Sequence, residues 1–178
     1  MTALRLCSAV ACLLFSAAPF LGQKDKREPL TETQIEAIRE AGINPDERVK
    51  LYTKYLDEHA ESLKALSKRV HSAARAHRIS EELLDFTALM DELGSNLDEY
   101  GDRKADLRKS LKALNEAAPR WLEVLHGLDS EPYYELALKE SFESHKDLAE
   151  QSASLLKEQT ECFEQHKDEK GQERAEPK

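Results

Sequence analysis

The chain has 178 residues, of which 34% are charged, and its 35 acidic and 26 basic side chains give a formal net charge of -9 at pH 7. This acidic balance argues against a nucleic-acid partner, because phosphate binding depends on clustered Lys and Arg side chains that release counterions. The length is that of a single domain with a modest hydrophobic core.

Residues 1–22 have the layout of a secretory signal peptide, with one early positive charge, an almost unbroken apolar run and a mostly small, apolar end. We predict cleavage after Gly22 and an exported protein that works in the periplasm or outside the cell. The alternative is an uncleaved N-terminal membrane anchor, because residues 4–21 are mostly apolar. The length of this run is near the lower limit of roughly 17 residues for crossing a bilayer.

The three cysteines divide between the signal peptide and the rest of the chain. Cys7 and Cys12 would leave with the signal peptide, so that Cys162 would be the only thiol of the exported protein. A single thiol in an oxidising compartment has no internal partner. We therefore predict an intermolecular disulfide through Cys162.

Helical signals begin after a charged stretch, residues 23–30, which we interpret as an exposed linker. Thr31 and Gln34 have the spacing of a capping box, in which each residue satisfies a free backbone N–H of the other. Gly42 is placed to end this first, short helix in the left-handed conformation. Asn44 then caps a second helix.

Apolar residues at a spacing of three and four predict three long helices in the remainder of the chain. Neither Gly nor Pro interrupts residues 46–78, and the next seam runs over residues 80–118 until Pro119 kinks or ends it. Ser130 caps the last helix. Because short turns join these helices, neighbours must run antiparallel.

The sequence thus predicts an all-α domain over residues 31–167, an elongated antiparallel three-helix bundle preceded by a short helix. The last helix carries a more polar seam than the other two, which favours some self-association. Residues 168–178 are charged and almost lack apolar side chains, so we predict a disordered tail.

Two pairs of residues are candidates for a metal site. Cys162 and His166 are four residues apart and would share one helical face, as two ligands of one ion would. Glu123 and His126 form a single Glu-x-x-His, whereas a di-iron bundle needs two such pairs and two more Glu. Because both sets are incomplete, the sequence predicts no metal and no other cofactor.

Catalytic signatures are missing from the sequence. It contains no zincin, phosphate-loop or dinucleotide fingerprint. The acidic neighbours of Cys162, Glu161 and Glu164, would raise a thiol pKa and so disfavour a nucleophile. We predict that the protein is not an enzyme.

The segment Leu30-Thr31-Glu32-Thr33-Gln34 resembles the LTxxQ motif of the periplasmic Spy/CpxP-like proteins, a family of small helical chaperones and envelope-stress adaptors. The resemblance covers these five residues, and the second copy usual in that family is missing. It implies chaperone-like binding of unfolded envelope proteins. The same Thr-x-x-Gln spacing is also a general capping box.

Three aromatic residues lie around the turn between the last two long helices, namely Trp121, Tyr133 and Tyr134. Such side chains often anchor interfaces, and they also often close the end of a bundle as core. Our leading hypothesis is a non-enzymatic exported bundle that acts through a protein partner or by self-association. The alternatives are a periplasmic chaperone or adaptor of the LTxxQ type and a metal-binding bundle.

Overall fold

A computed structural model of the chain describes residues 28–165, which contain five α helices and no β strand. The all-α class is therefore confirmed. The predicted signal peptide, its alternative as an anchor, His166 and the charged tail lie outside the described residues. The helices are α1 (Glu32–Glu40), α2 (Pro45–Ser67), α3 (Ala73–Asp102), α4 (Arg108–His126) and α5 (Glu135–Gln165).

Four long helices form the bundle, not the three that the sequence predicts. Helices α2 and α5 lie diagonally across from each other, and each packs against both α3 and α4. Asp46 and Asp57 of α2 contact Ser110 and Trp121 of α4 in the same order, so these two helices run parallel. Helices α3 and α5 also run parallel, while the α2–α3 and α4–α5 pairs are antiparallel.

The first correction concerns the long helix predicted over residues 46–78, which breaks between α2 and α3. Ser72 caps α3 by accepting a hydrogen bond from the backbone N–H of Arg75 at 3.2 Å. The buried Arg75 guanidinium donates to the carbonyl oxygens of Leu66 and Ser67 at 3.1 and 3.2 Å. A side chain from α3 thus satisfies the last carbonyl groups of α2. The sequence has no Gly or Pro at this position to indicate that the helix ends.

The second correction is a break between α3 and α4, where a continuous helix was predicted over residues 80–118. Lys104 adopts a left-handed φ of 53°. The Gln159 side chain of α5 donates to the Ala105 carbonyl at 2.7 Å and accepts from the Leu107 N–H at 2.9 Å. Asp46 of α2 accepts from the Ser110 N–H at 3.0 Å and so caps α4, whose own N-cap residue makes no side-chain bond.

The third correction concerns Pro119, which lies inside α4 and does not end it. A proline within a helix removes a backbone bond and costs about 3 kcal/mol. The apolar face of α4 keeps the same phase on both sides of it, with Leu114 and Ala118 before and Trp121 after, all buried. His145 of α5 also hydrogen-bonds the Ala118 carbonyl at 2.8 Å. Packing therefore holds the helix through the proline.

The polar seam of α5 lies inside this bundle. Ser141 contacts Thr87 at 2.8 Å, Ser152 donates to Asn115 at 2.6 Å, and both serines are fully buried. Both serines are satisfied by a neighbouring helix of the same chain. Their polarity is therefore explained within one chain, and self-association stays a prediction.

The described end of the predicted linker is packed against the bundle. Leu30 is buried, and the Pro29 carbonyl lies 3.2 Å from His59 Nε2. The Gln34 side chain donates to Glu58 of α2 at 2.9 Å, and the capping box with Thr31 is present as predicted. The LTxxQ-like residues thus cap α1 and fasten it to α2.

His59 joins this N-terminal segment to α3. Its Nδ1 lies 2.7 Å from Glu82 Oε1, and its Nε2 faces the Pro29 carbonyl. Burial lowers the pKa of His59, but the hydrogen bond and charge of Glu82, with Asp85 and the Pro29 carbonyl, outweigh it and leave the pKa raised. The protonated ring can donate to both partners at once.

This arrangement predicts a pH-dependent contribution to stability. Because the pKa of His59 is higher in the folded than in the unfolded state, its stabilisation is complete below about pH 6.5 and is lost as pH rises through the folded pKa. We expect His59→Gln to lose roughly 1 kcal/mol more relative to wild type at pH 5 than at pH 8.5, the difference between charged and neutral hydrogen bonds. Urea unfolding at both pH values measures this. An equal loss at both values would contradict it.

Candidate protein-binding surface

The structure separates the three aromatic residues that the sequence groups together. Trp121 and Tyr134 are each only 1% exposed, whereas Tyr133 is 59% exposed. Trp121 Nε1 donates to Asp57 at 2.7 Å, and the Tyr134 hydroxyl donates to the Asp129 carbonyl at 2.7 Å. Trp121 and Tyr134 therefore close the core, and Tyr133 alone of the three presents its ring to solvent.

Two leucines that sequence analysis did not single out lie on the same side of the bundle as Tyr133. Leu136 of α5 is 69% exposed and Leu84 of α3 is 50% exposed. The contact of Ser141 with Thr87 sets the register of α3 and α5, so that Leu84 and Leu136 lie within about one helical turn of each other along the bundle. We call Leu84, Tyr133 and Leu136 the apolar patch.

The His77 ring extends this patch on α3. Its centroid lies 6.0 Å from that of the Tyr133 ring, with the two planes tilted by 38°. This contact crosses from α3 to the segment just before α5 and confirms that the two elements meet at this end of the bundle. Large apolar side chains exposed together are a common feature of binding surfaces.

Exposed carboxylates continue along the same outer face of α3 and α5, away from the apolar patch. The helical repeat places on it six acidic residues that are all exposed, Asp91, Asp98, Asp102, Glu140, Asp147 and Glu158. We call these six the acidic track. Within the described residues, none of them forms an ion pair with Lys or Arg.

The lysines of α5 lie on another side of that helix and already have partners. Lys139 and Lys146 are paired with glutamates four residues further on, at 3.8 and 3.9 Å. Lys157 forms the same kind of pair at 4.0 Å. The acidic track therefore concentrates unpaired negative charge on one face of the described chain, whereas these neighbouring charges of α5 are paired.

A cleft of about 560 Å³ between α2 and α4 is the main alternative site. Its lining includes Asp57, Glu61, Lys64, Arg120 and Glu123. Arg120 pairs with Asp57 at 3.1 Å, and Lys64 pairs with Glu61 at 3.1 Å. Because these opposite charges already satisfy one another, the cleft presents no strong field of either sign.

The described metal candidates, Cys162, Glu123 and His126, are not brought together. Cys162 lies near the start of α4, where the neighbouring Phe163 ring stacks under Arg108 at 3.7 Å. Glu123 and His126 lie at the other end of α4, where the His126 ring packs on Phe142 with centroids 4.9 Å apart. Cys162 and the Glu123–His126 pair thus occupy opposite ends of the bundle, and His166 lies outside the described residues.

A different cluster, His71, Asp129 and Glu131, has the ligand types and spacing for a metal ion within the described part of the chain. The guanidinium of Arg75 bonds Glu131 at 2.5 Å and lies 3.6 Å from Asp129. His71 also lies 3.2 Å from Glu131. A buried cation thus already occupies the position next to these carboxylates and disfavours a second one.

Comparison of the chain with protein families, with characterised proteins and with solved structures finds no match. Among residues 28–165, no helix combines the length and apolar character needed to span a membrane.

Proposed function

We propose that this chain is an exported, non-enzymatic helical-bundle protein that binds another protein through the outer face of α3 and α5. The observation that carries the proposal is the apolar patch, where three large side chains remain 50–69% exposed beside a closed core. Burying the remaining exposed part of such side chains against a partner contributes roughly 1–2 kcal/mol each. This is a sizeable share of the energy of a typical protein complex.

The charge of the same face supports a partner of a different kind rather than a second copy of this chain. Two acidic tracks brought face to face would place like charges within a Debye length of each other, about 8 Å at physiological salt. We therefore assign this face to a contact with a different protein. Export rests on the apolar leader of the sequence.

Site-specific photocrosslinking tests this function. A photoreactive residue at position 136 should yield adducts with a discrete protein of the envelope or secreted fraction, while the same residue at Ala113, exposed on α4, should yield far fewer. Equal adducts at both positions, or none at position 136, would overturn the proposal. Adducts with many unfolded proteins would instead favour the chaperone-type function of the LTxxQ-like family.

Cys162 offers a separate route to self-association, because its side chain is exposed on the last turns of α5. We expect the exported protein to form a covalent dimer that reducing agent dissociates and that Cys162→Ser abolishes. Non-reducing electrophoresis checks this directly. A purely monomeric wild-type protein under oxidising conditions would contradict the prediction.

A further inference from the structure

We propose that the partner presents a basic amphipathic helix to the α3–α5 face, with apolar side chains on the apolar patch and Lys or Arg side chains along the acidic track. This inference rests on the proposed function and specifies the chemistry of the partner. It follows from the geometry of the two helices, from the charge of their common face and from the spacing of its carboxylates.

The outer face of α3 and α5 has the length and direction needed to bind a helix. Because α3 and α5 run parallel, as the Thr87–Ser141 and Gly94–Gln151 contacts show, their outer sides form one continuous face. From Leu84 to Asp102 this face extends for about 27 Å, the length of roughly 18 helical residues. A helix of ordinary length would cover both the patch and the track.

The acidic track is chemically suited to a basic partner. Elsewhere on the described surface, acidic residues on helices often have a basic partner three or four residues away, as Glu143 has in Lys139. The six residues of the track lack such a partner within the described chain. Their mutual repulsion is relieved when a basic helix docks, and the same field would speed its association.

The spacing of the carboxylates favours a basic peptide over a metal ion as the ligand of the acidic track. Of the described residues, only the cluster around His71 brings three metal-binding groups within 4.8 Å of one another, and no such group lies in the track. On α3, Asp91, Asp98 and Asp102 are seven and four residues apart, and on α5, Glu140 and Asp147 are seven apart. These are the intervals at which basic residues recur on one side of a helix.

Two synthetic peptides provide the test with the exported chain. One is an 18-residue helix with Leu at one end and Lys at intervals of three, four and seven residues, and the other has Glu in place of every Lys. Fluorescence anisotropy should show binding of the Lys peptide at least tenfold tighter than that of the Glu peptide. Its affinity should fall at least tenfold between 50 and 300 mM salt, because screening weakens exposed charge pairs.

Two triple variants with the same change in net charge locate the binding site. Asp91→Asn, Asp102→Asn and Asp147→Asn together should weaken binding of the Lys peptide at least tenfold. The control combines Glu36→Gln, Glu47→Gln and Glu61→Gln, which pair with basic residues of α1 and α2 away from α5, and should change the affinity less than twofold. Equal thermal unfolding midpoints would show that the fold of both variants is intact.

Two results would overturn the basic partner. Equal weakening by both triple variants would mean that the peptide is attracted by the net charge of the protein in general. Equal binding of the Lys and Glu peptides would mean that binding does not depend on the charge of the peptide. If either occurred while position 136 still gave a discrete crosslinked protein, the proposed function would stand and only the chemistry of its partner would be wrong. Loss of the position 136 adduct would remove the proposed function itself.

Discussion

Replacing Arg75 with Met is expected to lower the free energy of unfolding by about 3 kcal/mol, the usual cost of removing one member of a buried ion pair. The Arg75 side chain is 2% exposed and bonds Glu131 at 2.5 Å. It also satisfies the last carbonyls of α2, at Leu66 and Ser67. Methionine retains much of the aliphatic stem, so the loss reports mainly on the guanidinium.

The matched control is Arg78→Met, one turn further along α3, where the side chain is exposed. This change should lie within about 0.5 kcal/mol of wild type, as most surface substitutions do. Urea unfolding followed by circular dichroism at 222 nm measures both variants. The role of Arg75 would be wrong if its variant unfolded at the same urea concentration as the Arg78 variant.

A double-mutant cycle separates the two roles of Arg75. If the ion pair dominates, Glu131→Gln should cost much less in the Arg75→Met background than in wild type. If capping of α2 dominates, the two losses should add. The Asp129 carboxylate, 3.6 Å from the guanidinium, is more exposed and should contribute less.

Local sequence signals specified three helix ends that depend only on nearby residues, but not the start of α5, which begins at Glu135 and not after the predicted cap Ser130. The capping box of Thr31 and Gln34 is present, Asn44 caps α2, and Gly42 has a left-handed φ of 51°. In each case the hydrogen-bond partner lies within a few residues. Such ends can be predicted because one short segment contains both donor and acceptor.

The missed break between α3 and α4 depends on residues distant in the sequence. Gln159 holds the break between α3 and α4 from the far end of α5, and Asp46 caps α4 from the start of α2. Neither residue is near Leu107, the N-cap position of α4, so no local pattern marks the break. This is why the sequence predicted one long helix where the structure has two, and three long helices where it has four.

Two residues of the candidate site could have been identified from the sequence. Leu84 and Leu136 lie outside the 3–4 seams of α3 and α5, and an apolar residue out of phase with a seam is expected to face solvent. The face that joins them could not be predicted, because it depends on α3 and α5 being parallel neighbours. A three-helix bundle with antiparallel neighbours would have placed them differently.

Trp121→Ala is expected to cost about 3–5 kcal/mol in stability, the usual range for removing a large buried aromatic side chain. The Trp121 ring is buried edge-on against Phe86 with centroids 6.1 Å apart, and its Nε1 donates to Asp57. Thermal unfolding should show a midpoint lowered by on the order of 10 °C or more for a domain of this size. A midpoint near that of wild type would contradict its place in the core.

Tyr133→Ala is the matched change on the surface and should behave in the opposite way. Its stability should stay within about 0.5 kcal/mol of wild type, because the ring is mostly solvated. Crosslinking at position 136 should nevertheless fall, since an exposed aromatic anchor often contributes 2 kcal/mol or more, roughly a thirtyfold change in affinity. Full crosslinking by a folded Tyr133→Ala variant would exclude Tyr133 from the partner-binding surface. The pair of variants thus distinguishes an aromatic residue that closes the bundle from one that binds a partner. The sequence alone could not assign these two roles to Trp121 and Tyr133.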